Sequence, residues 1–173
     1  HLIVTWPTGE GDGAEVALDL SGQKPLIERF ATRSGSQATA IWGGVDPVWF
    51  LTVGSRQTPP NKPPVHKWEV FFDNPHRRPH ETFTSKLEIK RARVTGSGKR
   101  ATVTIDELTV GPFRGSVELS FFAGSRLLRI DAAIQTEKDM LAVFYDTGLV
   151  AGKAPWKEIA WTDTEGQPQR STN

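Results

Sequence analysis

The feature that most constrains this chain is a repeated two-residue alternation of apolar and polar side chains. It runs through Ala14-Glu15-Val16-Ala17-Leu18-Asp19-Leu20, Lys86-Leu87-Glu88-Ile89-Lys90, Ala101–Asp106 and Val117–Phe121. Leu128, Ile130, Ala132 and Ile134 then share one face, against Arg129, Asp131 and Gln135 on the other, and Met140, Ala142 and Phe144 continue the pattern. A period of two puts successive side chains on opposite faces of a strand, whereas a helix needs a period near 3.6, which is almost absent here. Shorter apolar runs at 26–30, 38–42, 48–53 and 68–72 read as further strands.

Glycine punctuates these segments, at Gly9–Gly13, Gly35, Gly43-Gly44, Gly96-Ser97-Gly98, Gly111-Pro112 and Gly124-Ser125. The links from Val94 to Ala101 and from Phe122 to Leu127 read as hairpin connections. About ten short strands with regular breaks predict an all-β chain, an antiparallel β-sandwich with little or no helix. Residues 1–150 form the predicted sandwich domain. Residues 151–173 are polar apart from Trp156 and Trp161, and read as a C-terminal extension or a linker to a following domain. Two segments read as irregular loops: 54–64, stiffened by four prolines, and 73–80.

Composition narrows the function classes. The 173 residues suffice for one real core, and 21 basic against 20 acidic residues give a formal charge of +1. That balance lacks the basic excess of a nucleic-acid partner. Zero cysteines exclude disulfides, thiolate metal sites and cysteine nucleophiles. No run reaches the roughly 18 apolar residues of a membrane span. The chain opens on His1 and holds one methionine, Met140, so the expectation is a section of a longer, exported bacterial protein, extracellular or periplasmic. Charge is uneven: residues 86–100 carry six basic side chains against Glu88, a local +5, and residues 1–31 carry five acids against Lys24 and Arg29, a local −3.

Candidate ligand-binding residues come from two groups. Of six tryptophans, Trp42 precedes Gly43-Gly44 and Trp49 follows Pro47, both at expected loop edges. An indole face there can stack on the C–H face of a pyranose, although tryptophan in a sandwich also serves as core, as expected for Trp68. The second group is the loop Asp73–Glu81, with Asp73, His76, Arg77, Arg78, His80 and Glu81, and with His66 nearby. His66, Arg77 and Arg78 are expected to hold polar or anionic groups. His76, His80, Asp73 and Glu81 are the candidate proton-transfer groups. Pro79 breaks any helix that would bring His76 and His80 to one face, so no metal is predicted, and no cofactor.

Other signals are weaker. Asp146-Thr147-Gly148 matches the aspartic-protease string, but no second copy exists, and it reads as a strand end passing into a glycine turn. An N-terminal histidine such as His1 can bind copper, yet Leu2–Trp6 carries no supporting motif. There is no Gly-x-Ser-x-Gly elbow, phosphate-binding loop, His-Glu-x-x-His or dinucleotide fingerprint.

The run Arg100–Ile105, followed by Phe113–Phe121 and Ser125–Ile130, resembles the galactose-mutarotase-like supersandwich found as an accessory domain of large carbohydrate-active proteins. The likeness covers about residues 12–149 and is a pattern of strands. It implies sugar recognition and transfers no catalytic position. The expected function is a non-catalytic, carbohydrate-facing domain, with a polysaccharide or oligosaccharide as partner. The alternatives are a glycan hydrolase, lyase or epimerase using the 73–81 loop, and a structural domain packing on a downstream neighbour of the same chain.

Overall fold

The computed structural model describes residues 1–9, 11–57, 79–153 and 157–172. Those residues are all-β, with antiparallel sheets and no helix, so no helix is long and apolar enough to cross a membrane. The strands are β1 (Leu2–Gly9), β2 (Asp12–Leu18), β3 (Ile27–Ser34), β4 (Gln37–Trp42), β5 (Val45–Ser55), β6 (His80–Thr84) and β7 (Lys86–Leu87). They continue as β8 (Ala92–Ser97), β9 (Arg100–Val110), β10 (Phe113–Phe122), β11 (Leu128–Gln135), β12 (Leu141–Ala151), β13 (Glu158–Thr162) and β14 (Pro168–Thr172).

Nine of these fourteen answer to strands expected from the apolar–polar pattern. β8 is anticipated only by its hairpin link, and β1, β6 and the hairpin β13–β14 escape a period-two reading: β1 is a near-continuous apolar run containing Pro7, and the other three are short. Proline removes a ladder donor, and β1 tolerates it because β2 is its one neighbour among the described residues. The strand expected over 86–90 stops at Leu87, the run at 68–72 lies outside the described residues, and Gly148 is no turn, since β12 continues through it to Ala151.

The chain packs as two compact units. The first takes His1–Asp46, Phe121–Leu128 and Leu149–Asn173, and the second takes Pro47–Ser120 and Arg129–Gly148. In the first, β1, β2, β3 and β4 pair antiparallel in order, and Ile27 of β3 also pairs Val45 at the start of β5. Leu18, Val16, Ile27, Phe30 and Trp6 fill its interior. Trp6 meets Phe121 at the end of β10 at 4.9 Å between ring centroids. The Trp6 Nε1–H donates to the Ser125 carbonyl at 2.8 Å, which satisfies the one polar atom of a buried indole.

In the second unit β5 lies between β6 and β12, while β9 pairs β10 on one side and β8 and β7 on the other. In β9, Val103 and Ile105 are fully buried as the alternation predicts, while Thr104 between them is buried as well, so the opposite face is also covered at that point. Val117 and Leu119 of β10 join them, each buried aliphatic side chain contributing roughly 1.5–3 kcal/mol. The expected β8–β9 hairpin turns at Gly98, whose φ of 57° suits glycine.

Candidate functional site

The solvent face of β1–β4 begins with register. Glu15 of β2 pairs Ala31 of β3, and Arg29 and Arg33 lie two residues to either side of Ala31. Long side chains reach such diagonal neighbours across a sheet. Glu15 therefore accepts from Arg29 through one oxygen and from Arg33 Nη1 through the other, the latter at 2.7 Å. The carboxyl is only 4% exposed. Burial pushes its pKa up, but the two guanidinium hydrogen bonds and charges outweigh that and hold it below the ordinary glutamate value.

One row along the same face, Ile3 pairs Ala17 and Ala17 pairs Arg29. These side chains line a cleft of about 540 Å³ together with His1, Glu28, Ala40, Trp42 and Gly43. Small residues at Ala17 and Ala40 leave the space open. Trp42 is half-buried and stacks on Phe30, its centroid 5.3 Å away with the planes 6° apart. Phe30 is itself wedged against Trp6, which fixes the platform from below. Gly43 is required beside it, because a Cβ there would overlap the Glu28 carbonyl. Glu28 carries the remaining polar chemistry, with His1 Nδ1 at 3.1 Å and Lys24 Nζ at 3.5 Å.

Of the residues singled out in the sequence, Trp42 and His1 line this cleft. Trp49 belongs to the other unit, where it is 8% exposed inside β5 and does not stand at a loop edge. His80 and Glu81 are strand residues of β6, paired with Gly54 and Val53. As consecutive residues of a strand they leave opposite faces of the sheet, so they do not form one acid–base pair. Asp73, His66, His76, Arg77 and Arg78 lie outside the described residues, as does Trp68. Among the described residues no group of three His, Cys, Asp or Glu side chains could hold a metal ion.

The sequence reading missed Glu15, Arg29 and Arg33. Their signal is present, since Arg29 and Arg33 are four apart in a strand and so share a face. Which carboxylate they meet depends on the β2–β3 register. In the basic segment, Arg91 and Arg93 share the single carboxylate of Asp106, at 2.8 and 3.3 Å. Thr147 in β12 donates through Oγ1 to the Val48 carbonyl at 3.2 Å, and the Asp146 carboxylate accepts from the next backbone N–H. The first ties β12 to its neighbour β5, and the second is local to the backbone.

Taken together, the described residues define an all-β, antiparallel sandwich-like protein with a concave polar–aromatic cleft on one sheet face. Compared with family models, curated proteins and solved structures, the chain matches none of them.

Proposed function

We propose that this chain is a non-catalytic, carbohydrate-facing β-sandwich domain whose glycan site is the Trp42 cleft. One observation carries the reading: an indole held in place by an aromatic stack borders a cleft that also offers a carboxylate and a guanidinium. A volume of about 540 Å³ falls in the range of small-ligand sites, roughly 300–1,000 Å³. Trp42 supplies the apolar surface for a pyranose ring. Glu28 accepts from sugar hydroxyls and Arg29 donates to them, with Arg29 pre-positioned by its bond to Glu15. The cleft lies on paired strands, so little ordering entropy is lost on binding.

The test is titration of a panel of neutral and acidic polysaccharides into the intact chain, Trp42→Ala and Trp161→Ala. Trp161 is an indole 49% exposed on β13, outside the cleft. The expected result is binding of at least one glycan by the parent, at least tenfold weaker with Trp42→Ala and unchanged with Trp161→Ala. A parent that binds nothing in the panel, or equal losses in both variants, overturns the reading.

A further inference from the structure

β12 has the sequence of an interior strand and the position of an edge strand. Leu141-Ala142-Val143-Phe144-Tyr145 is continuously apolar, the pattern of strands covered on both faces. Yet Phe144 is 58% and Tyr145 74% exposed. Among the described residues β12 pairs β5 alone, and no described strand takes up the N–H and C=O groups of its other edge. Beside it, Trp49, Leu51 and Val110, all buried core residues, form the floor of a cleft of about 380 Å³ with Ile130, Val143 and Tyr145 at its sides. Natural edge strands are normally shielded by lysine, proline or a bulge, and β12 contains no lysine and no proline. Its surroundings are acidic: residues 137–146 hold Glu137, Asp139 and Asp146 against Lys138, a net −2. No ion pair engages those three carboxylates among the described residues.

A free strand edge is satisfied by another strand, and this chain carries one of complementary charge. Among the described residues β8 (Ala92–Ser97) pairs β9 alone, and it is exposed from Arg93 to Ser97. Arg91 and Arg93 share one carboxylate, which leaves a surplus positive charge, and Lys99 and Arg100 at its far end form no ion pair among the described residues. Its other face carries Ala92 and Val94, opposite the core residues Ile105 and Val103, and Val94 is 59% exposed. The other described edges fit less well: β1 contains Pro7, β4 has no charge, β6 carries Glu81, β7 is only Lys86–Leu87, on β11 Arg129 is matched by Asp131, and β13 and β14 match Glu158 with Arg170 between themselves.

We propose that the β8 edge of one copy of this chain adds to the β12 edge of a second copy, a head-to-tail pairing by β-augmentation. Val94 and Ala92 of the incoming strand stand over the Trp49–Val110 cleft, and the arginines of β8 meet the carboxylates around β12. Like charges disfavour β8 on β8 and β12 on β12. The two edges differ, so the contact is heterologous and each copy keeps one edge free for the next.

Sedimentation of the intact chain tests this with Val94→Asp on β8 and Tyr145→Lys on β12. Both positions are exposed, and unchanged far-ultraviolet circular dichroism checks that the variants fold. The parent is expected to gain mass with concentration and to lose it in salt of about 0.5 M, where charges more than a few Å apart are screened. Each variant alone is expected to associate at least tenfold more weakly. An equimolar mixture, in which one intact β8 meets one intact β12, is expected to give dimers and nothing larger. A parent that stays monomeric at every concentration overturns the proposal. So does loss of assembly in Tyr145→Lys with none in Val94→Asp, which is β12 pairing with itself or with another strand. So does a mixture that forms no dimer. None of these outcomes bears on the Trp42 cleft.

Discussion

β9 and β12 are both eleven residues long, and by composition β12 is the more apolar of the two. The structure inverts that order. β9 buries Val103, Ile105, Leu108 and Val110 to 1% exposure or less, while β12 leaves Val143, Phe144 and Tyr145 between 38% and 74% exposed. The difference lies in neighbours. Among the described residues β9 is hydrogen-bonded on both sides, and β12 on one. Burial belongs to the sheet and its cover, so an apolar strand without a second neighbour remains a surface, and a large one is a candidate interface.

Substitutions sharpen the contrast. The largest effect is expected for Leu119→Ala, which empties a fully buried site in β10 beside β9, and should cost about 3–4 kcal/mol in urea unfolding. A loss below about 1 kcal/mol there would mean the centre of the sheet is no better packed than its edge. Next is Gly115→Ala in β10. A Cβ at Gly115 would overlap the Ala133 carbonyl, backbone that no rotamer change can move aside, and about 2–3 kcal/mol is expected by the same measurement.

Glu15→Gln tests the first unit. It removes the carboxylate that two arginines share and is expected to cost about 2 kcal/mol at neutral pH. The sign follows from linkage. The folded pKa is lowered, so the stabilisation is fully present above the ordinary glutamate value of 4.5 and is lost as pH falls through the folded value. The gap between parent and Glu15→Gln melting temperatures should therefore close on acidification below about pH 4.5; a gap that widens there contradicts the assignment. The smallest effect is expected for Phe144→Ala on β12, within about 0.5 kcal/mol when measured at dilution, since the ring is already in water. A cost as large as that of Leu119→Ala would show that β12 is covered even in the dilute chain.

How much of this was legible beforehand differs between fold and site. Alternation at Ala101–Asp106 and Val117–Phe121 suffices to predict strands and even the face that is buried, because period two is a property of one extended chain. The hairpin at Gly98 is equally local. Of the acid–base candidates, His80 and Glu81 are the two among the described residues; they look like partners in sequence, but a strand places adjacent residues on opposite faces. Trp42 and Trp49 both looked like loop-edge aromatics, and their flanking glycine and proline do not reveal which one packs inward.

By itself the sequence determines that this is a cysteine-free, all-β chain of antiparallel strands, since backbone pleating ties side-chain period to strand geometry without reference to any partner. Only the tertiary structure decides that Glu15 meets two arginines, that Trp42 is braced by Phe30 over a cleft, and that among the described residues β12 ends a sheet while β9 sits inside one. Those are matters of register and strand order. They join residues far apart in the chain, and the apolar–polar pattern is the same whichever neighbour a strand finds.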